Sequence, residues 1–161
     1  MKRGAAVLLA GVFFSALPAF SQSDSAPPRD TLPLNVLIAM GTSYLEQAVS
    51  AIVKDSLQSR GYQVTIVNMK TLGRHNRRKY RAVILFNAVK SSELTPVARK
   101  FVRSQEGPGA ESNMLICNVD GEAWNGERQG VNAVASATVK MKPEEVAAKV
   151  LTNFDAITGG K

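Results

Sequence analysis

Gly41, Thr42 and Ser43 place a glycine and two hydroxyls directly behind an apolar run, with Glu46 three residues beyond Ser43. Two kinds of chemistry fit that spacing. Backbone N–H groups at a helix start, helped by short hydroxyls, bind anions such as phosphate. The same Ser and Glu also have the spacing of a capping box, in which the hydroxyl accepts a free N–H and the carboxylate reaches back. The sequence leaves both readings open, and capping is the commoner use of such a serine.

Cys117 is the single cysteine, so no internal disulfide can form. It lies between Ile116 and Asn118 in an apolar run, which predicts a buried, inert thiol. His75 is the single histidine. One Cys with one His does not make a zinc site, and no activated nucleophile for a hydrolase can be named. The densest basic run holds Arg74, His75, Arg77, Arg78, Lys79 and Arg81. It reads as a solvated crossover loop, or as a contact to a redox partner or an anionic surface through Arg74, Arg77, Arg78 and Lys79. Tyr80 is its only aromatic residue, and no nucleic-acid platform is expected.

The elements that must position these residues follow from periodicity. Asn35-Val36-Leu37-Ile38-Ala39-Met40 reads as a strand buried on both faces. Leu45, Ala48, Val49, Ile52, Val53 and Leu57 then fall on one helical stripe, and Gly61 supplies the stop. Strand character returns over residues 62–69 and again in Ala82-Val83-Ile84-Leu85-Phe86. Thr95-Pro96 opens a second helix with Val97, Phe101 and Val102 on its inner face. Met114-Leu115-Ile116-Cys117-Asn118-Val119 is a fourth strand, residues 131–136 a weaker fifth, and Pro143 opens the last helix. The alternation predicts a parallel sheet covered on both faces, with strand order 2-1-3-4-5. The crossovers at residues 70–81 and 120–130 are short for parallel connections. Each must hold a helical turn at most, or be irregular.

With these elements in order, residues 34–158 resemble the flavodoxin-like families, as a pattern of elements more than a string of signature residues. The likeness rests on Met40-Gly41-Thr42-Ser43, on the turn Arg60-Gly61-Tyr62-Gln63-Val64, and on Val119-Asp120-Gly121. It implies a three-layer sandwich that binds FMN at the carboxyl ends of its strands, with the phosphate in a Ser/Thr/Gly loop at a helix start. Carried over residue by residue, Gly41, Thr42 and Ser43 would receive the phosphate. This loop is shorter than the family's Ser/Thr-x-Thr-Gly-x-Thr. Trp124, the only tryptophan, and Tyr44 would flank the flavin ring; Trp124 could equally fold down to cover the sheet edge. Asn87 and Asp120 stand at the same edge.

Asn132-Ala133-Val134-Ala135-Ser136-Ala137-Thr138 resembles the motif Asp-x-x-Ser/Thr-Gly-Ala-Ser/Thr, at which exported flavoproteins receive FMN covalently. Ala137 and the acceptor Thr138 match, while Asn132, Ala135 and Ser136 depart from it. A tight turn beside the sheet edge would use the same small residues. Two functions follow from this reading: an FMN-binding electron-transfer protein, or a non-enzymatic binding module that keeps the fold without a flavin.

The chain's ends bear on where it works. Lys2 and Arg3 precede an apolar stretch at residues 5–14, Pro18 breaks it, and Ala19-Phe20-Ser21 presents small residues at the cleavage positions. Residues 1–21 are expected to be a signal peptide, 22–33 a disordered Pro- and Ser-containing linker, and 34–158 the domain, placed in the periplasm or secreted. Removing Lys2 and Arg3 from 20 basic and 13 acidic residues leaves 18 and 13, a net charge of +5. Mass spectrometry of the exported protein should find Gln22 at its N-terminus; an intact Met1 in the exported fraction would contradict cleavage after Ser21.

Overall fold

The structure is a computed structural model describing residues 34–88, 94–104, 113–119, 133–137 and 141–159. Its strands are β1 (Asn35–Met40), β2 (Gln63–Asn68), β3 (Ala82–Ala88), β4 (Met114–Val119) and β5 (Ala133–Ala137), and its helices are α1 (Tyr44–Ser59), α2 (Pro96–Ser104) and α3 (Pro143–Thr158). β2, β1, β3 and β4 lie side by side in that order, all parallel, and the backbone of β5 pairs with β4 on the far side. Register is continuous across the middle: Ile38 faces Ile66 on one side and Ile84 on the other, and Ile84 faces Leu115.

Because successive side chains in a strand point to opposite faces, apolar runs supply two cores at once. On one face, Val36, Ile38, Ile84, Phe86, Leu115 and Cys117 meet Val49, Val53 and Leu57 of α1 and Val146, Val150 and Phe154 of α3. On the other, Leu37, Ala39, Val83, Leu85 and Ile116 meet Ala98, Phe101 and Val102 of α2, with Met69 and Leu72. β2 is the edge strand, and its side chains are half-buried or exposed.

Local chemistry sets the boundaries. α1 ends in a Schellman arrangement: Gly61 N–H donates to Gln58 O (3.0 Å) and Tyr62 N–H to Leu57 O (3.0 Å). Gly61 takes φ 86°, a backbone conformation that a Cβ would strain. Pro143 opens α3, and Gly159 closes it at φ 83°. Tyr62 then packs edge-on against Phe154, with centroids 5.1 Å apart and planes at 88°, tying the entry to β2 to α3. The nearby Arg60–Asp155 ion pair (2.8 Å) is partly exposed and contributes at most about 1 kcal/mol.

The short crossover between β2 and β3 contains no α-helix. It runs through two 3-10 turns, Met69–Arg74 and Arg77–Lys79, each started by an asparagine. Asn68 Oδ1 accepts from Lys70 N–H and Asn76 Oδ1 from Arg78 N–H, both at 2.9 Å. This tighter helix allows few residues to bury Met69 and Leu72 over the sheet. One expectation is corrected here. Arg77, placed among the exposed cations, is 3% exposed while Arg78 and Lys79 stay exposed, because three residues per turn send the side chains of a 3-10 turn in three different directions.

Phe154 is fully buried between α3, α1 and the sheet. Phe154→Ala should therefore destabilise the domain by roughly 3–5 kcal/mol in urea unfolding; a loss under about 1 kcal/mol would contradict this packing.

Candidate functional site

In a parallel sheet the carboxyl ends of all strands share one edge, and the connections leaving that edge carry ligand-binding groups. Of the described residues, Gly41 to Tyr44 lie there, between β1 and α1. Ser43 is extended (φ −68°, ψ 150°) and caps α1. Its Oγ accepts from Glu46 N–H (3.3 Å) and donates to Glu46 Oε2 (2.9 Å), while its backbone N–H also donates to Oε2 (3.0 Å). Thr42 is exposed, and its carbonyl accepts from Gln47 Nε2 at 3.1 Å.

The capping box thus forms, and the fold gives it a property that spacing alone does not convey. Glu46 is 1% exposed. Its Oε1 has no hydrogen-bond partner among the described residues, and neither has the buried Ser50 Oγ one turn further along α1. Gly41 makes room for the carboxylate: a Cβ there would lie 2.8 Å from Oε2 and 3.2 Å from Oε1. The loop's glycine therefore accommodates an internal anion.

The carboxylate's field reaches β4. Burial, then the negative charge of Glu46, push the Cys117 thiol from 9.0 up to about 12, with Lys149 partly offsetting them. Cys117 is fully buried and remains a thiol at neutral pH.

Tyr44 is the first residue of α1 and is 81% exposed, a ring standing free at the ligand edge. Asn87 sits differently. It lies two residues beyond Leu85 on the α2 face and is 2% exposed. Its Oδ1 accepts from Thr95 N–H (2.9 Å), and its Nδ2 donates to Asn118 Oδ1 (3.2 Å). That buried amide pair anchors the start of α2 to β3 and β4. Gly41, Thr42 and Ser43 of the loop and Tyr44 at the start of α1 are thus gathered together, and the Asn87 side chain lies on the other face of the sheet. Asp120, Trp124 and Thr138 lie outside the described residues, as do residues 1–33.

An FMN phosphate at the start of α1 can be tested against this geometry. A phosphate would need the partial positive charge and free donors of the first turn. A carboxylate already lies there, Ser43 N–H and Oγ both donate to it, and the second anion would approach a buried like charge. The residues of this loop do not fit an FMN phosphate.

The signals for these features are uneven. Ser43 and Glu46 are visible as a pair in the sequence, but the depth of Glu46 is not. The Asn87–Asn118 pair joins residues 31 positions apart and has no local signature. His75, the only histidine, shares a 3.0 Å hydrogen bond with the Tyr80 hydroxyl within the crossover.

No family model matches the sequence, and no curated protein does either. Among solved structures, a flavodoxin from the domain Archaea superposes with a TM-score of 0.52 at 10% identity, covering 76% of this chain and 97% of that one. The flavodoxin of Streptococcus pneumoniae TIGR4 gives a TM-score of 0.40 at 12% identity, again over 76% and 97%. The likeness to the archaeal protein is one of fold: a parallel α/β sheet of flavodoxin-like type.

The Cys117 shift makes a pH prediction. Above pH 9.0 the unfolded chain loses this thiol proton while the folded chain keeps it up to about 12, so folding stability falls as pH rises through that window. Below 9.0 the group contributes no pH dependence. Urea unfolding on both sides of pH 9.0 should show a steeper alkaline loss for the wild type than for Cys117→Ala; equal slopes would contradict the assignment.

Proposed function

We propose that this chain is an exported flavodoxin-like domain that works as a non-enzymatic binding module, without an FMN anchored by its phosphate at the start of α1. One observation carries the reading: the buried Glu46 carboxylate takes the Ser43 N–H and Oγ donors that a ligand phosphate at this helix start would use. Such a loop caps the helix from within and leaves fewer donors for an outside anion. Fold likeness does not transfer activity, so the site's own chemistry decides.

A second reading, an FMN-binding electron-transfer protein, has Tyr44 in its favour. Its ring is 81% exposed beside the ligand edge and is free to cover a flat ligand. A flavin held there would need another anchor, for which the sequence offers Trp124 and Thr138.

Visible absorbance of the purified exported protein, followed by FMN titration, separates the two. The binding-module reading expects a colourless protein that leaves FMN fluorescence unquenched. A flavin spectrum that stays with the acid-precipitated pellet and is abolished by Thr138→Ala would replace that reading with a covalent flavoprotein. A flavin released to the supernatant would replace it with ordinary FMN binding.

A further inference from the structure

Among the described residues, the two layers that cover the sheet differ sharply in charge. The five acids among the described residues all lie on α1 or α3: Glu46, Asp55, Glu144, Glu145 and Asp155. Residues 69–81 and 94–104, which cover the other face, contain no Asp or Glu at all. They carry instead the exposed Lys70, Arg74, Arg78, Lys79, Lys100 and Arg103, with Arg99 half-buried among them.

Folding brings these cations together from two separate segments. α2 packs beside the Met69–Arg74 turn, so the basic crossover and the basic side of α2 form one surface. Ala98, Phe101 and Val102 turn α2's apolar side to the core, which leaves Lys100 and Arg103 facing out. Along the helix, Pro96, Arg99, Lys100, Arg103 and Ser104 line an open groove of about 450 Å³. Arg99 is oriented there by donating from Nη2 to Leu94 O at 3.2 Å.

We propose that this α2 face docks on an anionic phospholipid surface, with lipid phosphates against Arg74, Arg78, Lys79, Lys100 and Arg103. Clusters of four to eight basic residues on one face attract acidic headgroups by their summed field. Two adjoining segments of one sheet layer both carry exposed cations, which suits an extended array of phosphates. Val97, 38% exposed beside Pro96 on the same helix, adds an apolar contact suited to a bilayer interface. Single-stranded nucleic acid fits less well. Of the described Phe, Tyr and Trp residues on this face, Phe101 is buried and Tyr80 is half-buried and hydrogen-bonded to His75, so neither ring is free for stacking.

The inference takes the binding-module reading as its functional premise. Vesicle binding is measured apart from flavin binding, so either can fail alone. The exported protein is sedimented with vesicles of phosphatidylcholine alone and of phosphatidylcholine mixed with phosphatidylglycerol. It should bind the mixed vesicles, lose that binding as salt is raised, and ignore the neutral ones. The triple variant Arg74→Glu/Lys100→Glu/Arg103→Glu should bind about tenfold more weakly or worse. Lys54→Glu/Lys142→Glu, on the α1 and α3 side, should bind like the wild type. Equal binding to neutral vesicles, equal loss in both variants, or no binding to the mixed vesicles at low salt would overturn the proposal. So would equally tight binding to duplex DNA or heparin lost in the same triple variant, which would assign the face to polyanions in general.

Discussion

A parallel sheet whose central strands are apolar on both faces has no side that can meet water, and this constraint governs the molecule. β1, β3 and β4 are buried on both faces, with Asn87 and Asn118 paired to each other among apolar side chains, so the segments that pack on the sheet must act as covers. α1 and α3 cover one face with stripes at helical period. The other face is closed by a nine-residue α2 and by a crossover too short for a full helix. That segment reaches the sheet with 3-10 turns, burying Met69, Leu72 and Arg77.

The same constraint places the start of α1 against the end of β1 and shapes the candidate site. A helix start carries unpaired donors that must be satisfied. In this chain Ser43 and Glu46 satisfy donors there from within, and Gly41 has no Cβ to obstruct the carboxylate. The result is a buried negative charge at the ligand edge, felt as far as Cys117. A flavodoxin-like sheet and a loop suited to a flavin phosphate are therefore separable properties. Here the first is present, and Ser43 gives its N–H and Oγ to Glu46.

Covering the two faces with different segments also divides the charge. The layer of α1 and α3 holds acids and bases together, including the Arg60–Asp155 pair. The described residues of the crossover and α2 carry bases and no acid. The net charge of +7 on the full chain says nothing of this division. A moderate excess spread evenly would have little reach, whereas one gathered on a single layer produces a directed field.

The sequence by itself determined the elements and their stops. The apolar runs of the strands, the stripe through Val49, Val53 and Leu57, the Ser43–Glu46 spacing and the helix-ending Gly61 are all local signals, and local signals survive without tertiary context. The thin crossover was legible as too short, but not as two 3-10 turns. Only the tertiary structure decided which polar groups are sealed in and which cations share a surface. Glu46 and Arg77 look like ordinary charged residues until the fold buries them. Asn87 stands near a ligand edge in sequence order, yet its amide meets Asn118 on the opposite face from Ser43. Periodicity tells which side of an element turns inward; it cannot tell what will cover that side, because burial is set by segments distant in the chain.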